Sequence, residues 1–218
     1  MIKDSIKMLK MTKYGFNSKS SLIFGLCFLL LGIIMMSTPG NNSQFVGCVY
    51  VTLGPMMILQ VINTNLLTGI VLSSPKHKDM EIKIPTFLTA VLSLVSYTFL
   101  IGTNILRINV FGTGERTPEG IGMELVFCAG LIALMCLYLA IVYKQYLIAL
   151  VLFITIMMVG LNFSDIMVIK REMPFGQYIL LGYGIVIAGN ILATVIRIML
   201  YKLPMSKYAM GAIMRKMK

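Results

Sequence analysis

Long apolar runs, separated by short polar connections, dominate the chain. A helix that crosses a bilayer needs about 20 mostly apolar residues, because each residue adds about 1.5 Å to its length. Six runs are long enough, and they lack the strict alternation of barrel strands. The pattern therefore predicts an all-α fold with six transmembrane helices. The predicted spans are residues 21–37, 45–72, 86–106, 122–143, 146–169 and 177–201.

Two interruptions shape this pattern. Gly54 and Pro55 stand inside the second run, where a proline removes a helical hydrogen bond and favours a kink. The fourth and fifth runs are separated only by Lys144 and Gln145, and one unbroken helix through both would be far too long to cross a bilayer once. Lys144 is flanked by tyrosines, which is typical of a turn at the membrane interface.

Composition excludes a soluble globular protein. The 218 residues are 58% hydrophobic and 12% charged, against roughly 25% charged residues in a typical soluble domain. The mean hydropathy is +0.88. All cysteines lie within apolar runs without metal-ligand spacing, which favours reduced packing residues. They are Cys27, Cys48, Cys128 and Cys136.

The distribution of cations predicts the orientation. The chain carries 19 Lys and Arg, and 15 of them fall on the side that holds both termini if six spans are counted. Because an excess of Lys and Arg marks the cytoplasmic side, both termini and the segment 73–85 are predicted to be cytoplasmic. The external links are too short to form a domain. A multi-pass protein of the cell membrane, in a bacterial plasma membrane, is indicated.

The two ends of the chain are basic and partly amphipathic. Residues 1–20 place Ile2, Ile6 and Leu9 on one side of a helix, with lysines beside them. This arrangement favours an interfacial helix on anionic membrane lipid, although a basic tail that only sets the topology explains the lysines equally well. Residues 202–218 form a similar basic cytoplasmic tail.

Catalytic motifs are absent from the sequence. His77 is the single histidine, which excludes HExxH and multi-histidine metal sites. The chain has neither a GxSxG elbow nor a GxxxxGK[ST] phosphate loop. We therefore expect no enzyme, no metal site and no cofactor in this chain. The cations flank apolar runs, so they indicate membrane topology and no nucleic-acid partner.

Polar side chains inside the spans are the candidate pathway residues. Lipid offers them no hydrogen bonds, so they are expected to face other helices or a wet cavity. Interhelical hydrogen bonding is the open alternative. Glu124 is expected at the outer interface, and Arg197 is expected to snorkel towards the inner one. The candidate pathway-lining residues are Gln60, Asn63, Asn162, Asp165 and Asn190.

The segment 72–85 reads LSSPKHKDMEIKIP. Pro75 and Pro85 bracket charges of both signs, and Ser followed by Pro is a helix-start signal. A short helix of mixed charge suits docking onto a soluble partner. A solvated connection between two spans remains the alternative.

In this arrangement the chain resembles a type-2 ABC transporter permease, the membrane subunit of a bacterial ABC exporter. The resemblance implies a single permease domain over residues 1–218, a separate cytoplasmic ABC ATPase that binds ATP, and a second permease copy or a related permease. It also implies that the segment 73–85 couples to the ATPase. One departure is the short stretch 163–176, which leaves little room for the longer membrane-dipping helices of that family. The implied coupling residues are Pro75, Lys76, His77, Lys78, Asp79 and Glu81.

Two other function classes stay open. One is an ATP-independent secondary transporter or channel, which would usually carry a charge deep in a span. The other is a non-transporting membrane sensor or immunity protein that binds a partner within the bilayer. The sequence leaves the transported substrate undetermined.

Overall fold

The computed structural model describes residues 18–38, 41–65, 78–111, 118–142, 144–161 and 173–203, and these residues contain six α-helices. All regular structure in these ranges is helical, which confirms the predicted all-α fold class. The helices are α1 (Ser18–Ser37), α2 (Asn41–Asn65), α3 (Ile84–Phe111), α4 (Pro118–Val142), α5 (Tyr146–Leu161) and α6 (Phe175–Tyr201).

Each of the six apolar runs overlaps one of these helices, but the ends differ from the predicted ones. α3 continues to Phe111, beyond the apolar stretch that ends at 106. α4 begins at Pro118, where a proline is well tolerated because the first helical N–H has no partner in the helix. Pro174 similarly precedes α6 in an extended conformation.

Three helical segments of the described chain are long and apolar enough to span a membrane: Glu81–Leu106, Gly120–Val142 and Phe175–Tyr201. The apolar segments Leu22–Ser37 and Phe45–Met57 are shorter. Large aliphatic side chains cover the outside of the bundle, such as Leu180 at 73% exposure and Val151 at 64%. An exterior of this kind is stable in lipid and not in water, which indicates a membrane protein.

α4 and α6 form the most extensive contact in the centre of the bundle, and α3 packs on both. α2 lies against α3 and α4, whereas α1 packs mainly on α2 and α5 mainly on α4. The core between these helices contains Tyr97 and Leu100 of α3, Ile132 and Leu139 of α4, and Val186 of α6, all at most 1% exposed.

Glycines bring α1 and α2 into backbone contact. A Cβ atom on Gly32 would lie 2.8 Å from the backbone nitrogen of Val51, and one on Gly47 would lie 2.7 Å from the backbone nitrogen of Met36. Real Cβ atoms do not approach backbone this closely, so only glycine fits at both positions. Such small-residue contacts are a common way for membrane helices to associate.

A π-helical turn at Asp79–Lys83 leads directly into α3. Pro85 follows as the second residue of α3 and is fully buried. A proline ring clashes with the carbonyl four residues earlier in a regular α-helix, and here that carbonyl belongs to Glu81. The wider turn relieves this clash and sets the direction of the Glu81 side chain.

Candidate functional site

A polar seam runs between α3 and α6 inside the bundle. The Asn190 amide donates a hydrogen bond of 2.7 Å to the Ser93 hydroxyl of α3 and one of 2.8 Å to the Val186 carbonyl of its own helix. Nearer the other end of α6, the hydroxyls of Thr98 and Tyr183 are 2.9 Å apart. These two contacts tie the helices together at points five residues apart on α3 and seven residues apart on α6.

Between them lies Tyr97, which is fully buried. Its ring meets the ring of Tyr183 edge to face, with 4.9 Å between centroids. Gly182 of α6 lies directly under the Tyr97 hydroxyl, and a Cβ atom there would collide with it. Within the described part of the chain the Tyr97 hydroxyl has no hydrogen-bond partner.

A small pocket opens in the seam towards the Tyr201 end of α6. It leaves about 10 Å³ for the centre of a water molecule, which is room for about one water. None of its described lining residues is acidic. The lining residues are Thr86, Thr89, Cys136, Ala140, Asn190, Ala193, Thr194 and Arg197.

Arg197 is the charged residue of this pocket. Its side chain is 2% exposed, and Nη2 donates a hydrogen bond of 3.2 Å to the Leu139 carbonyl of α4. The expectation that Arg197 snorkels to the membrane surface is therefore wrong, because the guanidinium turns into the bundle towards α4. The expectation that Glu124 lies at the outer interface is also wrong, since its side chain is 7% exposed and lies inside the bundle.

A buried ionic cluster closes the seam just beyond Arg197. Lys144 forms the turn between α4 and α5, as the sequence predicts, and its Nζ lies 3.1 Å from Glu81 Oε1. The same Nζ donates hydrogen bonds to the carbonyls of Tyr201, at 2.7 Å, and Leu203, at 3.2 Å. It also lies 5.2 Å from the centroid of the Tyr201 ring. Both charged side chains are almost fully enclosed, at 7% and 6% exposure.

The structure describes three of the six predicted coupling residues: Lys78, Asp79 and Glu81. Lys78 is exposed, and Asp79 begins the π-helical turn. Glu81 is buried against Lys144, so the expectation that it faces a partner directly is corrected: its carboxylate is used inside the chain. Pro75, Lys76 and His77 lie outside the described residues.

Three of the predicted pathway residues lie in the described chain, Asn190 on α6 and Gln60 and Asn63 on α2. Asn190 lies in the seam, where it makes the interhelical and backbone hydrogen bonds that formed the alternative to a pathway role. Gln60 is half-buried on α2, and Asn63 belongs to the last turn of the same helix. Asn162 and Asp165 lie outside the described residues.

Most hydroxyls inside the helices bond to their own backbone. Thr89 donates to Pro85, Ser96 to Leu92 and Thr194 to Asn190, each to a carbonyl four residues earlier. Asn104 likewise donates to Leu100 and, at 3.8 Å, to the sulfur of Cys48. Such bonds satisfy the hydroxyl without a partner helix, so a Ser or Thr inside a span is not by itself evidence of a pathway.

The sequence reasoning missed the pairing of Glu81 with Lys144, which are 63 positions apart. One signal pointed towards it: a single lysine that interrupts a long apolar stretch has to find a polar environment, and an acidic residue at the start of α3 offers one. The close contact between Tyr97 and Gly182 left no such signal in the sequence.

The fold indicates a helical membrane protein whose apolar core contains a polar seam between α3 and α6. Comparison with protein-family models, with characterised proteins and with solved structures finds no match for this chain. Its function therefore has to be argued from its own residues.

Proposed function

We propose that this chain is the permease subunit of an ATP-driven exporter in a bacterial plasma membrane. In this proposal it crosses the membrane six times, with both termini in the cytoplasm, and a separate ABC ATPase binds and hydrolyses the ATP. The observation that carries the proposal is the buried contact between Glu81 and Lys144, which ties the end of the segment 73–85 to the rest of the bundle.

A coupling segment has to be accessible to its partner on one side and firmly attached to the spans on the other. Lys78 and Lys83 are exposed, whereas Glu81 and Ile82 between them are buried. The exposed lysines suit an acidic surface on a partner protein. The buried residues suit the transfer of a displacement into α3.

The small size of the pocket described in the seam supports a second subunit in the proposed transporter. The pocket beside Arg197 has room for about one water molecule, which is too little for a peptide, lipid or drug. In the proposal the substrate path therefore forms between two permease chains, either two copies of this one or this chain and a related permease.

The test is co-purification of this chain with an ABC ATPase expressed together with it, followed by ATP hydrolysis and transport assays in proteoliposomes. Reversing Lys78 and Lys83 together to Glu is expected to reduce ATPase binding and to uncouple hydrolysis from transport. Each exposed charge contributes less than about 1 kcal/mol, so the single changes are expected to be mild. Reversal of the exposed Lys202 is the matched control. An unchanged transport rate in the double variant contradicts the coupling role.

A secondary transporter is the second candidate, and a specific observation favours it. Arg197 is a buried cation beside a water-sized polar pocket, and ionisable groups inside membrane bundles commonly mark ion or substrate pathways. Purified protein in vesicles without any ATPase distinguishes the two candidates. Uptake driven by an ion or pH gradient, and lost in Arg197→Gln, supports the secondary transporter.

A further inference from the structure

Three segments of the chain meet at the Lys144 ammonium group. The π-helical turn before α3 contributes Glu81, the connection between α4 and α5 contributes Lys144 itself, and the end of α6 contributes the carbonyls of Tyr201 and Leu203. An ammonium group has three N–H donors, and three oxygens surround this one within 3.2 Å. Two of its hydrogen bonds go to the carbonyls of Tyr201 and Leu203, and the Glu81 carboxylate is its ion-pair partner.

Each partner is a group that needs a donor. The last carbonyls of a helix have no partner within the helix, and a cation near a helix C-terminus also interacts favourably with the helix dipole. The Glu81 carboxylate is buried and requires a compensating charge. One side chain therefore meets the needs of the first turn before α3 and of the last turn of α6.

The buried neighbours of Glu81 in the chain also hold it in place. Ile82 and Ile84 are buried on either side of Lys83, and Pro85 is fully buried. The π-helical turn also contacts α6 directly. If this turn moved away from α6, Lys144 would lose either its contact with Glu81 or its hydrogen bonds to the carbonyls of Tyr201 and Leu203.

We propose that Lys144 is a positioning residue that makes the Asp79–Lys83 turn and the C-terminal end of α6 move as one body. The inference deepens the proposed function, since it rests on that proposal for the source of movement: displacement of the turn by an ATPase reaches α6 through Lys144. We call this link between the turn, Lys144 and the end of α6 the joint. It belongs to this chain alone and can be measured without a partner.

The experiment uses the full chain in nanodiscs, with Cys27 changed to Ser and spin labels on cysteines introduced at Lys83 and Lys202. Both positions are exposed. Pulsed electron paramagnetic resonance then gives the distance between the two labels. The wild-type pair is expected to give one narrow distance distribution, and Lys144→Arg, which keeps both charge and donors, is expected to preserve it.

Two variants separate the two halves of the joint. The swap Glu81→Lys with Lys144→Glu retains opposite charges, but a carboxylate at position 144 cannot donate to the carbonyls of Tyr201 and Leu203. Lys144→Gln keeps amide donors for those carbonyls and loses the charge opposite Glu81. Both are expected to lose the single narrow distance. If either variant elutes as a monodisperse protein and retains the wild-type distribution, the proposal is overturned.

A second pair of labels distinguishes failure of the joint from failure of the proposed function. Native Cys27 is exposed on α1 and is labelled together with Lys202 in the presence of the ATPase and a non-hydrolysable nucleotide. A nucleotide-dependent shift in the wild-type chain, lost in the swap, supports transmission through Lys144. A shift that survives in the swap contradicts it. No shift in the wild-type chain argues against ATPase coupling, while the result from Lys83 and Lys202 still decides whether the joint exists.

Discussion

The Asn190 amide of α6 donates a hydrogen bond of 2.7 Å to the hydroxyl of Ser93 on α3, 97 positions earlier in the chain. The same amide also donates to the Val186 carbonyl, so both of its N–H groups are used. Asn190 is therefore held in one orientation, with its amide directed at the neighbouring helix beside the pocket that contains Arg197.

Replacing Asn190 with Ala is expected to destabilise the bundle by about 0.6 kcal/mol, and by no more than about 1.7 kcal/mol, which is the range for interhelical hydrogen bonds in membranes. A double-mutant cycle with Ser93→Ala isolates the shared bond, measured by reversible unfolding in mixed micelles. Thr155→Ala is the matched control, because the exposed Thr155 hydroxyl bonds only to Val151 of its own helix. Full additivity of the Asn190 and Ser93 changes contradicts the pairing.

Gly182→Ala is expected to lower the stability by about 1–3 kcal/mol, the usual cost of overpacking. The new methyl group would meet the hydroxyl and ring of Tyr97, which is fully buried. Gly184→Ala is the control on the same helix, since nothing lies within 4 Å of a Cβ atom at that position. Thermal unfolding followed by dye binding to the buried cysteines compares the two, and equal melting temperatures for both variants contradict the contact.

The proposed topology predicts which introduced cysteines are accessible from outside the cell. Cysteines at Lys78 and Lys216 are expected to be protected from a membrane-impermeant maleimide in intact cells, and a cysteine at Glu115 is expected to react. All labelling is carried out with Cys27 changed to Ser, because this native thiol is exposed on α1. Labelling of position 78 from outside contradicts the six-span arrangement.

Association of two permease chains is expected to involve the exposed small residues of α6. The sequence suggests Gly182, Gly184, Ala188 and Gly189 as one close-packing set, but the structure divides them. Gly182 and Gly189 are buried against Tyr97 and Ala133, whereas Gly184 and Ala188 are exposed. These two residues are four positions apart on the outer face, a spacing that permits close helix approach.

The change to test is Gly184→Leu together with Ala188→Leu. The bulkier side chains are expected to shift the chain from dimer to monomer in single-molecule photobleaching of protein in vesicles. Gly176→Leu, an exposed glycine of the same helix with open space around it, serves as control for the change in helix propensity. A dimer that survives the double change places the contact elsewhere.

The number, order and type of the described helices could be predicted from the sequence, because the apolar runs and the requirement to pair every backbone group in lipid leave few alternatives. The turn between α4 and α5 could be predicted at Lys144, because one helix through both apolar runs would be too long to cross a bilayer once. Helix ends were less predictable: α3 extends to Phe111 through residues of mixed polarity, where composition does not distinguish a helix from a connection.

The candidate site was less accessible to sequence reasoning. Arg197 lies one turn from the end of its helix, and a sequence cannot tell whether so long a side chain turns to the surface or inwards to the Leu139 carbonyl. The burial of Glu81 depends on the π-helical turn before Pro85, a local geometry that directs the carboxylate at Lys144. Asn190 was identified because an amide in a span always requires a partner, but the choice of Ser93 follows from the register between α3 and α6.

The glycine contacts between α1 and α2 have a consequence for biosynthesis. All of them join residues close in sequence, such as Gly32 with Val51 and Gly54 with Leu29. A ribosome that has exposed the first two helices has therefore already supplied everything this hairpin needs to pack. The hairpin can form in the bilayer while α3 to α6 are still being synthesised, and it then presents a finished surface on which α3 and α4 assemble.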